Sequence, residues 1–131
     1  MRKALIIILV VFTAVMTASC STDNKEAAMN ELRSQQQGTY SGYVFWNVDS
    51  DLTTLNKQLL GIVNTDEVMS SLRFSKLNFI SMGDTSQKYN YVKMFDIDKS
   101  PTLLIFDTEK MILKTNNFED IYTLANKLKQ K

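Results

Sequence analysis

Histidine is absent from all 131 residues; cysteine occurs once, at position 20, and proline once, at position 101. Each scarcity removes chemistry. Without histidine there is no Ser–His or Cys–His pair to activate a nucleophile, and zinc sites of the Cys/His type lack their ligands. A lone cysteine forms no disulfide within the chain and no Cys-x-x-Cys redox pair. Charge of one sign is also scarce: 15 Lys+Arg against 14 Asp+Glu leave +1, with no long basic run. Nucleic-acid binding rests on concentrated positive charge, so no nucleic acid is expected as a partner. No glycine-rich phosphate loop and no EF-hand spacing occurs. Asp49, Asp51, Asp96 and Asp98 could pair for acid–base work or hold a divalent cation. Aspartate at turns and caps is nonetheless common for backbone reasons, so neither catalysis, a metal nor a cofactor is expected. The methionines at 69, 82, 94 and 111 read as core packing.

What is present begins with a sharp contrast. Arg2 and Lys3 precede an uncharged run from Ala4 to Ala18, and Ser19-Cys20-Ser21 follows. A basic start, an apolar stretch of about 7–15 residues and a small-residue exit describe a secretory signal peptide. A retained membrane helix would need about 20 apolar residues. Thr17-Ala18-Ser19-Cys20 resembles the lipobox of bacterial lipoproteins, departing from it at Thr17, where a larger aliphatic residue is usual. The resemblance implies removal of 1–19 and a diacylglycerol on Cys20; an ordinary secretory signal with a chance cysteine is the alternative. Two acyl chains at about 0.8 kcal/mol per buried CH₂ suffice for stable anchoring. The processed chain, having lost Arg2 and Lys3, carries −1, and is expected on the extracytoplasmic face of a cell membrane. Residues 20–40 are polar, with only Met29 and Leu32 as large apolar side chains, and read as a tether, transiently helical within Glu26–Gln35. The folded domain is expected over 41–131.

Within that domain, Gly42–Val48 is apolar on both faces and predicts a central strand. Asp49-Ser50-Asp51 offers helix caps, and Leu52, Leu55, Leu59, Ile62 and Val63 define a helical stripe. Gly61 and Asn64 mark a break, and Thr65-Asp66-Glu67 a second start. Lys76–Met82 predicts a strand, and Asp84-Thr85-Ser86 caps a helix running to Phe95. Thr102–Phe106 and Met111–Lys114, four residues apart, predict an antiparallel hairpin. Asn116-Asn117 caps a last helix with Phe118, Ile121, Leu124, Ala125 and Leu128 on its apolar face. The order is β-α-β-α-β-β-α, an α/β domain with a mixed sheet of about four strands flanked by helices. Its first crossover is right-handed and so parallel.

This order, with Phe45-Trp46 at a strand end and Phe95-Asp96-Ile97-Asp98-Lys99-Ser100-Pro101-Thr102-Leu103-Leu104-Ile105-Phe106 before the hairpin, resembles the thioredoxin family over Gly42–Lys131. The resemblance implies a thioredoxin-like fold with a cis bond before Pro101. Counted from Phe45-Trp46, it places the family's two redox cysteines at Ser50 and Thr53, which cannot form a disulfide. Lys99 stands where glycine is usual, and Ser100 where an aliphatic residue is usual. The family's substrate groove maps onto Trp46, Asp49, Ser50, Ser100 and Pro101, where backbone can pair with an extended peptide. Trp46 and Pro101 can equally be scaffold residues, and Asp49-Ser50-Asp51 a helix cap. Two functions follow as expectations: a redox-inactive module binding a protein or peptide of the cell envelope, or an accessory lipoprotein that presents an interface without a groove.

Overall fold

The computed structural model describes residues 24–131; the leader and Cys20 lie outside the described residues. Helix α1 is described over 24–32. The sheet domain spans Leu32–Lys131, so it begins earlier than the expected residue 41. Its first residues are fixed by hydrogen bonds rather than loose. Ser34 N–H donates to the Asp107 carbonyl at 3.0 Å, and the Ser41 hydroxyl donates to the Leu32 carbonyl.

Four strands, β1 (Tyr40–Trp46), β2 (Phe74–Ser81), β3 (Thr102–Phe106) and β4 (Met111–Thr115), stand in the order β2-β1-β3-β4. β1 runs parallel to β2 and antiparallel to β3, and β4 runs antiparallel to β3. β1 is central, as its two apolar faces require. It starts two residues before the expected strand and stops at Trp46 instead of Val48. The cause is local: the Asn47 carbonyl accepts the Ser50 N–H at 3.0 Å and the Asn47 side-chain oxygen accepts the Asp49 N–H at 2.9 Å. This turn swings Val48 into water, 96% exposed.

Helix α2 (Leu52–Val63) buries Leu55, Leu59, Ile62 and Val63 and leaves Leu52 at the surface. Gly61 does not interrupt it; Asn64 is its C-cap. α3 (Asp66–Met69) follows Thr65 and buries Val68. The helix expected from Asp84 is reduced to α4 (Tyr91–Met94), capped by the Asn90 side chain. The Asp84 carboxylate instead accepts from Ser86 and Gln87, closing a turn that competes with the helix. α5 (Asp120–Lys129) starts three residues beyond Asn117, whose side chain accepts the Glu119 N–H at 3.1 Å. No described helix is long and apolar enough to cross a membrane.

The two sheet faces differ in chemistry. Val44, Leu103 and Ile105 pack with the aliphatic residues of α2, α3 and α5, and with Phe118. On the opposite face, Tyr43 and Phe106 meet edge to face at 6.0 Å, as do Phe95 and Phe106, while Phe45 and Tyr91 meet at 6.3 Å. Edge-to-face contacts favour the ring quadrupoles beyond the area buried. The Lys114 ammonium donates to the carbonyls of Phe95 and Asp96 at 2.8 and 3.0 Å, fastening the end of α4 to β4. Gly42 sits opposite Leu77, where a Cβ would come within 2.7 Å of the Leu77 side chain and 3.2 Å of the Phe74 ring. The methionines are not core residues: Met69 is 51% exposed, and Met82, Met94 and Met111 are half-buried.

Every residue of β3 is buried, so truncation there leaves a cavity between fixed neighbours. Ile105→Ala is expected to lower the unfolding free energy by about 2–5 kcal/mol, measured by urea titration. A loss below about 1 kcal/mol would mean that the strand is not packed between two helical layers.

Candidate functional site

Two turns meet at the end of the sheet where β1 stops and β3 begins. From the first come Asn47, Val48, Asp49 and Ser50; from the second come Lys99, Ser100 and Pro101. The Ser100–Pro101 peptide bond is cis. The Ser50 and Ser100 hydroxyl oxygens are 2.7 Å apart, and the Asn47 N–H donates to the Ser100 hydroxyl at 3.0 Å. One hydroxyl hydrogen is spent between the two serines, which leaves one to donate outward.

The segment around Pro101 is held from behind. The Thr102 hydroxyl donates to the Lys99 carbonyl at 2.6 Å. The Asn116 amide donates to the Pro101 carbonyl at 2.9 Å and to the Thr102 hydroxyl at 2.8 Å. The backbone N–H and carbonyl of Ser100 itself make no hydrogen bond among the described residues. Beside Pro101 lies an open cavity of about 390 Å³, with Leu55, Ile62 and Phe118 as its apolar wall and Asn116 and Glu119 at its rim.

Of the five groove residues expected from the sequence, Ser50, Ser100 and Pro101 are brought together. Trp46 is half-buried against the helix-side core, one residue from Asn47. Asp49 is exposed and enters this hydrogen-bond network only through its backbone N–H. Thr53, the other position of the resemblance, is exposed on α2, with its N–H bonded to Asp51. Sequence reasoning missed Asn47 and gave Asn116 to the last helix, although it clasps the proline segment. Only contacts between segments distant in the chain reveal either role. Val48 and Leu52, expected in the strand and on the helical stripe, are exposed on either side of Ser50.

The site holds no activated nucleophile. Neither serine bonds to a base, and an unassisted hydroxyl is a weak nucleophile at neutral pH. Asp51 is occupied as the N-cap of α2, accepting from the N–H groups of Thr53 and Thr54 and from the Thr54 hydroxyl. The Thr54 hydroxyl, chiefly, with these N–H groups, holds the Asp51 carboxyl below its ordinary range. No group of three His, Cys, Asp or Glu side chains among the described residues could hold a metal ion.

The strand order, the helices on both faces and the cis-proline turn together define a thioredoxin-like fold. No family model matches the chain, and no curated protein matches it. Among solved structures it is similar to thioredoxin f2 of Chlamydomonas reinhardtii, at 18% identity over 79% of this chain and 91% of that one, with a TM-score of 0.52. It is also similar to the thioredoxin Mala s 13 of Malassezia sympodialis, at 11% identity over 76% and 82% of the two chains, TM-score 0.48. A thioredoxin of Trypanosoma brucei brucei is similar at 14% identity over 80% and 82%, TM-score 0.46. The likeness to thioredoxin f2 supports the fold. With a single cysteine in the chain, a Cys-x-x-Cys pair is absent from it.

Because the carboxyl of Asp51 is depressed in the folded state, its share of stability is present above the ordinary carboxyl range and is lost as the pH falls through the folded value. The urea midpoint of the native chain is therefore expected to drop between pH 5 and pH 2. Asp51→Asn keeps a capping oxygen but removes the charge, and its midpoint should fall less over the same range. Parallel curves would show that the cap does not depend on ionisation.

Proposed function

We propose that the chain is a lipid-anchored lipoprotein whose thioredoxin-like domain, lacking redox chemistry, binds a protein or extended peptide in the cell envelope. In this reading residues 1–19 are the leader, Cys20 carries the lipid, and the domain faces away from the cytoplasm. Palmitate, as one of the acyl chains on Cys20, is the label to follow. The anchoring rests on the sequence alone: a basic start, an uncharged run and the chain's one cysteine at the exit.

The observation that carries the binding reading is the unpaired backbone of Ser100. A donor and an acceptor on one half-buried turn residue are what an extended peptide needs to add itself as a short strand. The outward hydroxyl of the serine pair offers a further donor. Val48 and Leu52 border the turn, and the cavity beside Pro101 can take an apolar side chain. Thiol–disulfide exchange is excluded from the proposal because it requires two sulfur atoms at this site, and Ser50 and Thr53 supply oxygen.

Two outcomes test the two halves separately. Cells expressing the native chain and fed labelled palmitate are expected to label it, and Cys20→Ser is expected to remove the label completely. Persistent labelling of that variant would overturn the anchor. For the groove, a photo-crosslinking residue replacing Ser50 should capture one reproducible partner in envelope membranes, and the same residue replacing exposed Lys110 should not. The partner should also bind wild-type chain at least about tenfold more tightly than Ser50→Lys. Equal binding by the lysine variant would defeat the groove and leave the accessory reading standing.

A further inference from the structure

β2 is an edge strand whose outer side pairs with no other strand among the described residues. The Met82 N–H donates inward to the Trp46 carbonyl at 2.7 Å. Backbone groups alternate in direction along a parallel ladder, so Ile80 and Asn78 also turn inward. Leu77 and Phe79 consequently present their N–H and carbonyl groups outward. Such an edge is a template for pairing, and natural edges carry devices against it. Here there is no proline in the strand, and Lys76 is its only charge.

Alongside this edge runs an open groove of about 660 Å³, lined by Leu60, Met69, Leu72, Phe74 and Leu77 among others. Leu60 is 41% exposed and Met69 51%. Two large apolar side chains thus stand in water next to four unpaired backbone groups.

The geometry points to a second copy of this chain as the occupant, pairing β2 with β2 antiparallel about a two-fold axis through Asn78. The register argues for it. Centred there, Leu77 of each copy lies opposite Phe79 of the other, and all four outward groups at these positions on each copy are paired. Centring on Leu77 or on Phe79 instead would pair that residue with itself and move the other off its match. In the Asn78 register, apolar side chains meet apolar side chains on the groove side, an aromatic–aliphatic cross-strand pair. The added strand lies about 4.8 Å beyond β2, over the exposed Leu60 and Met69. On the other face Lys76 is opposite Ile80. The two Lys76 residues stand four positions apart along the strands, more than about 10 Å, where solvent screening removes their repulsion. At the axis, exposed Asn78 faces its own copy in a non-hydrogen-bonded pair, with Cα atoms about 4.5 Å apart.

That last feature makes the register testable. In the purified full-length chain, Asn78→Cys should form a disulfide-linked dimer on mild oxidation, because the separation suits the bond. Lys76→Cys, facing Ile80 instead, should crosslink at least about tenfold less, and wild type, with its own Cys20, sets the background. In sedimentation equilibrium, Asn78→Lys should weaken self-association by about fivefold or more through like charges set opposite each other. Mixing it with Asn78→Asp should restore dimer. A wild-type chain that stays monomeric, equal crosslinking at 76 and 78, or association indifferent to Asn78→Lys would each overturn the pairing.

Discussion

The structure depends on the antiparallel pairing of β1 with β3. Residues Ser41–Phe45 and Thr102–Phe106 are buried throughout and register against one another from Ser41–Phe106 to Phe45–Thr102. Each strand sends alternate side chains to the two layers, so one pairing supplies the floor of both cores. The same register brings the end of β1 to the start of β3 and thereby places Asn47 and Ser50 beside Ser100. A site assembled from residues fifty positions apart follows directly from the sheet. Where the register to slip by one residue, every core side chain would exchange faces.

The two layers meet different demands. The helix-side core is aliphatic and takes its shape from three helices, whereas the opposite face is filled by rings in edge-to-face contact. Rings cover a large area from few residues, which suits a face supported by a four-residue helix and irregular chain. That economy explains why α4 can be so short. Lys114 completes it by satisfying two carbonyls at the helix end, groups that otherwise remain orphans.

Much of this was legible in the chain. Patterns that depend on near neighbours read correctly: the buried run of β1, the apolar spacing of α2, the hairpin of β3 and β4, and the proline at a strand start. The order of elements then carried the resemblance to the fold. What failed was competition between local options. Asp84 has a cap's side chain, but its carboxylate serves its own turn, and the helix waits for Asn90. Asn47 likewise looked like the interior of a strand, yet its side chain and carbonyl both bind the chain ahead of it. Asn116 offered a cap to α5 and was claimed by Pro101, fifteen residues back. Polar side chains of this kind have several partners of similar strength, and tertiary context chooses.

Oxygen and not sulfur stands at positions 50, 53 and 100, and that limits what the two turns can do. A thiolate is stabilised by its surroundings and reacts, whereas a serine hydroxyl stays protonated and can only share hydrogen bonds. In this chain Ser50 does so with Ser100, drawing the α2 turn onto the proline turn at 2.7 Å. Position 100 carries a hydroxyl and not an aliphatic group, so the pair is matched: without Ser100 the half-buried Ser50 oxygen would lose its partner, whereas Ser100 also accepts the Asn47 N–H. The two serines form a polar clasp that keeps the turns in place while leaving the Ser100 backbone open. The geometry around Pro101 is thus held by hydrogen bonds from both turns and from Asn116.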